Sequence, residues 1–140
     1  MNAAAFKGAR WYSTNFSVQP SCIAIMRQIL RAYLGMWGKC DVAGSVQLGL
    51  TELLTNIHEH ARSNDCVLLV EDFTGEVRVT VSDFDPSPPI PRNPGNDEED
   101  GRGLTIVQGI SCDMGIEITP VGKSIWFSVR SADHSLTGNP

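Results

Sequence analysis

The chain has no run of basic residues, no C-x-x-C pair and no long apolar stretch. Each absence removes a class of function. Lysine and arginine total 11 against 16 aspartates and glutamates, a formal net charge of −5. A nucleic acid would find no electrostatic footprint, so direct DNA or RNA binding is not expected. The four cysteines, Cys22, Cys40, Cys66 and Cys112, are too scattered for a zinc site or a redox motif. No signal peptide precedes them, and Cys66 and Cys112 have apolar neighbours, so buried free thiols in a reducing cytoplasm are expected. No apolar run reaches the ~18–20 residues that span a bilayer, so no membrane association is expected either. Internal repeats are absent. At 140 residues, one compact domain is the reading.

What is present is an alternation of helical and strand periods. Residues 1–10 read as a loosely ordered terminus, and YSTNFSV (12–18) as a first strand. Pro20-Ser21 opens an amphipathic helix that runs to Gly35 and Gly38. Asp41 is placed to cap a second helix reaching about Arg62. CVLLVEDF, a Thr74-Gly75 turn and EVRVTVSD make a β-hairpin. Residues 84–100 hold five of the eight prolines and close on the acids Asp97 to Asp100, which predicts a loop or lid. GRGLTIVQGISCDMG reads as a glycine turn feeding a short helix. IEITP and KSIWFSV form a second hairpin around Val121-Gly122, and residues 131–140 a frayed tail. The expected fold is a two-layer α/β sandwich: a mixed, largely antiparallel sheet covered on one face by about three helices.

The second helix carries TELLTNIHEH (51–60). At about 100° per residue, Glu52, Asn56, Glu59 and His60 fall in one stripe. Leu50, Leu53, Leu54, Ile57 and Ala61 form a separate apolar face, and His58 lies apart, so the two histidines cannot share a metal. By itself such a stripe is also what a solvated helix face looks like. If it faces a cleft, Glu52 can accept a proton and Asn56 can offer its amide oxygen to Mg²⁺. Asp83 ends the strand EVRVTVSD, and Gly-Arg-Gly-Leu opens a helix 18 residues later, where backbone N–H groups and the helix dipole favour an anion.

Taken in this order, these motifs resemble the ATPase superfamily that includes gyrase, histidine kinases and mismatch-repair proteins. Within it, the chain resembles the stand-alone anti-sigma factor serine kinases from about Tyr12 to Arg130. TELLTNIHEHA is similar to the family's asparagine box, which implies Glu52 as general base and Asn56 as the Mg²⁺ ligand. VSD implies Asp83 as the acceptor for the adenine amino group. GRGLTIV resembles the second glycine box, which implies Gly101, Arg102, Gly103 and Leu104 at the nucleotide phosphates. GKSIWFSV resembles the closing strands, with Ser124 as a hydroxyl near adenine. The resemblance implies a histidine-kinase-type ATPase fold, with ATP and Mg²⁺ as cofactors and transfer of phosphate to a serine or threonine of an anti-anti-sigma partner. A sigma factor is the second protein partner it implies, and family members are often homodimers, although no heptad here argues for one. No phosphoacceptor helix precedes the domain, which separates it from whole sensor kinases.

One motif departs from the family. Its first glycine box reads Asp-x-Gly-x-Gly, whereas Asp83-Phe84-Asp85-Pro86-Ser87 has neither glycine. Glycines there let the backbone approach a nucleotide, and proline removes a donor. The alternative is therefore a module of the same fold that sequesters a sigma factor or regulator without catalysis. Lys123 reads as a solvated charge at a hairpin turn, His60 as a helix-end or cleft-wall group, and Trp11, Trp37 and Trp126 as core or interface aromatics.

Overall fold

The computed structural model describes residues 10–86 and 98–132, without the side chains of 98–103. Five strands and three helices follow in the order β1 (Arg10–Ser17), α1 (Pro20–Met36), α2 (Ala43–His60), β2 (Asp65–Phe73), β3 (Glu76–Asp83), α3 (Glu98–Ile110), β4 (Asp113–Thr119) and β5 (Gly122–Arg130). The strands form one sheet in the order β1-β2-β3-β5-β4, and every neighbouring pair is antiparallel. The two-layer sandwich is as expected, with a wholly antiparallel sheet in place of a mixed one. The prolines and acids from 87 to 97, where the lid was expected, lie outside the described residues.

Period-two burial sorts the sheet. Val77, Val79 and Val81 of β3 are buried, as are Leu68 and Val70 opposite them and Ile125, Phe127 and Val129 of β5. These side chains meet the helices. α2 is the central helix, packed between α1 and α3 and against β3 and β5. Its buried residues Val46, Leu50, Leu53, Leu54 and Ile57 recur at helical spacing. Gly49 sets how closely α2 can lie on the sheet, because a Cβ there would fall 2.4 Å from the Phe127 ring.

Local chemistry explains the boundaries. Pro20 sits in the first turn of α1, where its missing N–H costs nothing. Gly38, at φ +74°, ends that helix in a Schellman arrangement: Lys39 N–H donates to Leu34 O at 2.7 Å and Gly38 N–H to Gly35 O at 3.3 Å. Asp41 does not cap α2 as expected. A 3₁₀ turn, Cys40–Val42, leads into that helix, and the Asp41 carboxylate accepts the N–H of Ala132 at 2.8 Å. Ser131 N–H donates to Gly75 O at 2.9 Å, so the packed domain extends at least to that pair.

The sequence also hides a charge at this end of the sheet. Lys39 is fully buried. Its ammonium lies 2.9 Å from Asp72 Oδ1 and donates to Phe73 O at 2.6 Å and to Ser131 Oγ at 3.1 Å. Arg10 reaches the other oxygen of Asp72 at 2.6 Å. The Schellman turn directs Lys39 inward, where β2, β3 and Ser131, just past β5, supply its acceptors.

Candidate functional site

The opposite end of the sheet holds the residues singled out in the sequence. Glu52 and Asn56 are half-buried on α2, one turn apart on the stripe separate from its apolar face. Just beyond the end of that helix, Arg62 N–H donates to Asp85 Oδ2 at 3.2 Å. Asp85 N–H in turn donates to Asp83 Oδ1 at 2.9 Å. The Asp83-Phe84-Asp85 segment is thus fastened to the chain just past the end of α2. His60 is the last residue of α2, a helix-end position as expected, and its Nε2 lies 3.6 Å from Glu59.

Asp83 has a partner that the sequence did not reveal. Lys123 Nζ lies 3.0 Å from Asp83 Oδ2, with only 11% of the lysine side chain and 5% of the aspartate exposed. The same ammonium donates to Asp85 O at 3.1 Å. The register makes the pair, since Lys123 is directly opposite Asp83 across β3 and β5. Gly122 allows the approach: a Cβ at that position would lie 2.0 Å from Asp83 O. Lys123 is therefore a paired, nearly buried cation and not the solvated charge expected at a hairpin turn.

The same register corrects Ser124. It is opposite Ser82, and the two hydroxyls are 2.7 Å apart. Because successive strand residues point to opposite faces, Ser124 lies on the face away from Asp83 and the helices. The side chain that shares a face with Asp83 at this position is Lys123.

The glycine motif also differs in detail. α3 begins at Glu98, so Gly101 and Gly103 fall inside its first two turns and do not form a turn ahead of it. Glutamate and aspartate are stabilised at a helix N-terminus, which favours starting the helix through 98–100. Leu104 is partly buried against the core, while the Arg102 side chain is outside the described residues. Among the described residues no three acidic, histidine or cysteine side chains gather into a metal cage. A Glu/Asn pair suits Mg²⁺, which keeps waters and takes substrate phosphates as ligands. The Lys123 ammonium already occupies one oxygen of the Asp83 carboxylate.

Cys66 is directly opposite Asp83 on the other flank, across β2 and β3. Burial above all, then the charges of Asp83 and Asp65 and the neighbouring Cys22, push its thiol up from 9.0 to about 12. All four cysteines are free, but only Cys66 is buried; Cys40 and Cys112 are exposed, which corrects the expectation for Cys112. Thiol labelling of the native protein at pH 8 should therefore modify Cys40 and Cys112 and spare Cys66 until the protein unfolds. Rapid labelling of Cys66 under native conditions would contradict this. Above pH 9 the unfolded chain loses the thiol proton while the folded chain retains it, so stability should fall as pH rises toward 12. Cys66→Ala should flatten that fall.

An antiparallel five-stranded sheet with three helices on one face, and the end of α2 tied to a strand-end aspartate, makes a two-layer α/β sandwich. A family model, the histidine kinase-like ATPase domain, matches residues 16–129. The chain belongs to that family. Among solved structures it resembles the RsbU and RsbW domains of Rv1364c from Mycobacterium tuberculosis, with 16% identity and a TM-score of 0.67, over 88% of this chain and 33% of that one. It also resembles the SiaB–SiaC complex from Pseudomonas aeruginosa, with 16% identity and a TM-score of 0.61, over 84% of this chain and 88% of that one. The chain thus spans about a third of the Mycobacterium protein. No curated protein sequence matches it. No helix among the described residues is long and apolar enough to cross a membrane.

Proposed function

We propose that this domain binds Mg-ATP and phosphorylates a serine or threonine of an anti-anti-sigma partner, acting otherwise as an anti-sigma factor in the cytoplasm. The observation that carries the reading is the joint between the end of α2 and the Asp83 strand end, made by Arg62 N–H and Asp85. It ties the end of the helix that carries Glu52 and Asn56 to the strand end that carries Asp83, the residues proposed as proton acceptor, metal ligand and base-recognising carboxylate. The SiaB–SiaC neighbour, a two-protein assembly, supports a protein partner.

In this reading Asn56 would hold Mg²⁺ through its amide oxygen. Glu52 would take the proton from the partner's hydroxyl, Asp83 would accept the adenine amino group, and the backbone of 101–103 would serve the phosphates. Bound Mg-ATP supplies an electrophilic phosphoryl group whose charge the metal neutralises. The phosphorylated partner gains about two negative charges, which drives it off the surface that held it and frees the kinase for a sigma factor.

Titration of the purified protein with ATP should show binding that depends on Mg²⁺. Asn56→Ala should weaken the magnesium-dependent part by about tenfold or more, equivalent to ~1.4 kcal/mol. Identical binding by the variant would remove Asn56 from the metal site. A second reading, a module that sequesters its partner without catalysis, is favoured by the Asp83–Lys123 pair and the two missing glycines. Phosphate transfer to a bound partner would eliminate it.

A further inference from the structure

We propose that Lys123 is an internal latch on the base-recognition site, and that it lowers nucleotide affinity by occupying the Asp83 carboxylate. The inference rests on the ATP reading above and adds how that site is regulated. A carboxylate recognises an exocyclic amino group by accepting its N–H, and the Lys123 ammonium makes that kind of contact with Asp83 Oδ2 at 3.0 Å. The other oxygen accepts the Asp85 N–H at 2.9 Å. An incoming base must therefore displace or share with a cation, and a charged donor is the stronger competitor for a carboxylate.

The surroundings hold the latch shut. Gly122 brings β5 against the Asp83 backbone, and Asp85 O gives the ammonium a second acceptor at 3.1 Å. Asp85 is itself buried and tied to Arg62 N–H at the end of α2. Opening the latch requires the lysine to turn outward, which its long flexible stem permits. The affinity measured for ATP is then the intrinsic affinity reduced by the fraction of molecules in which the latch is open.

The test is calorimetric titration of ATP, with Mg²⁺, into the wild type, Lys123→Thr and Lys123→Met. Methionine keeps most of the buried stem and removes only the charge. Both variants should bind roughly tenfold or more tightly than the wild type, as expected if the latch is open in a tenth of the molecules or fewer. Adding Asp83→Asn should cancel the gain. Thermal melts with and without ATP establish that each variant is folded. Equal or weaker binding by both variants would overturn the latch while leaving the ATP reading in place. No binding by any of the proteins up to millimolar ATP would overturn the latch and the ATP reading together. A second readout uses the wild type alone: the Lys123 ammonium ¹H–¹⁵N signal should move when ATP saturates the protein. A signal that stays in place at saturation would also overturn the latch.

Discussion

Replacing Lys39 with alanine should destabilise the domain by about 3–5 kcal/mol, the usual cost of removing one partner from a buried ion pair. The substitution leaves Asp72, with only 6% of its side chain exposed, to Arg10 alone. It also strips the donor from Phe73 O and Ser131 Oγ. For a domain of this size the melting temperature should drop by roughly 10–15 °C. Lys39→Met would keep most of the packing and lose the charge, so it should still cost several kcal/mol. Pairing Lys39→Met with Asp72→Leu should recover part of the loss, because matched apolar groups often replace a buried pair at little cost. Urea denaturation measures all three. A loss below about 1 kcal/mol for Lys39→Ala would mean that the pair behaves as an exposed one, contrary to its burial.

Glu52→Gln should reduce phosphate transfer to the cognate partner by about 10²- to 10⁴-fold, the range over which a positioned general base acts. Glutamine keeps the shape and hydrogen-bonding capacity of the side chain but cannot take a proton. Binding of ATP should survive, because the proposed metal contact belongs to Asn56 one turn away. The experiment measures labelled phosphate on the partner together with ATP affinity for the same preparation. Transfer at the wild-type rate would remove Glu52 from the chemistry. Loss of both transfer and ATP binding would show that Glu52 supports the nucleotide site itself.

The elements were legible because they follow local rules. EVRVTVSD announces its two faces by alternation, Thr74-Gly75 announces its turn, and the α2 stripe follows from helical geometry. Pairing between β3 and β5 is not local, and that pairing decides which residue stands beside Asp83. A shift of one position exchanges the faces of a strand, and the resemblance that points to Ser124 does not carry the register that puts Lys123 beside Asp83. Lys123 reads as a solvated charge because it stands next to a glycine at a turn, and Lys39, also beside a glycine, carries no mark of its burial in the sequence. Only the strands that close around it reveal otherwise. The start of α3 was misjudged because glycines suggest a turn, whereas the acids before them suit the head of a helix.

The sheet order has a consequence for how the domain joins other domains. β1 enters beside Asp72 and β5 leaves beside Glu76, so both ends of the described fold emerge at the β2–β3 turn. Three strand spacings of about 4.8 Å put these points roughly 14 Å apart. A chain entering and leaving this way can carry the unit as an insert or as a link in a series, with neighbours gathered at the Lys39 end. The Asp83 end lies a full strand length away from both of these points.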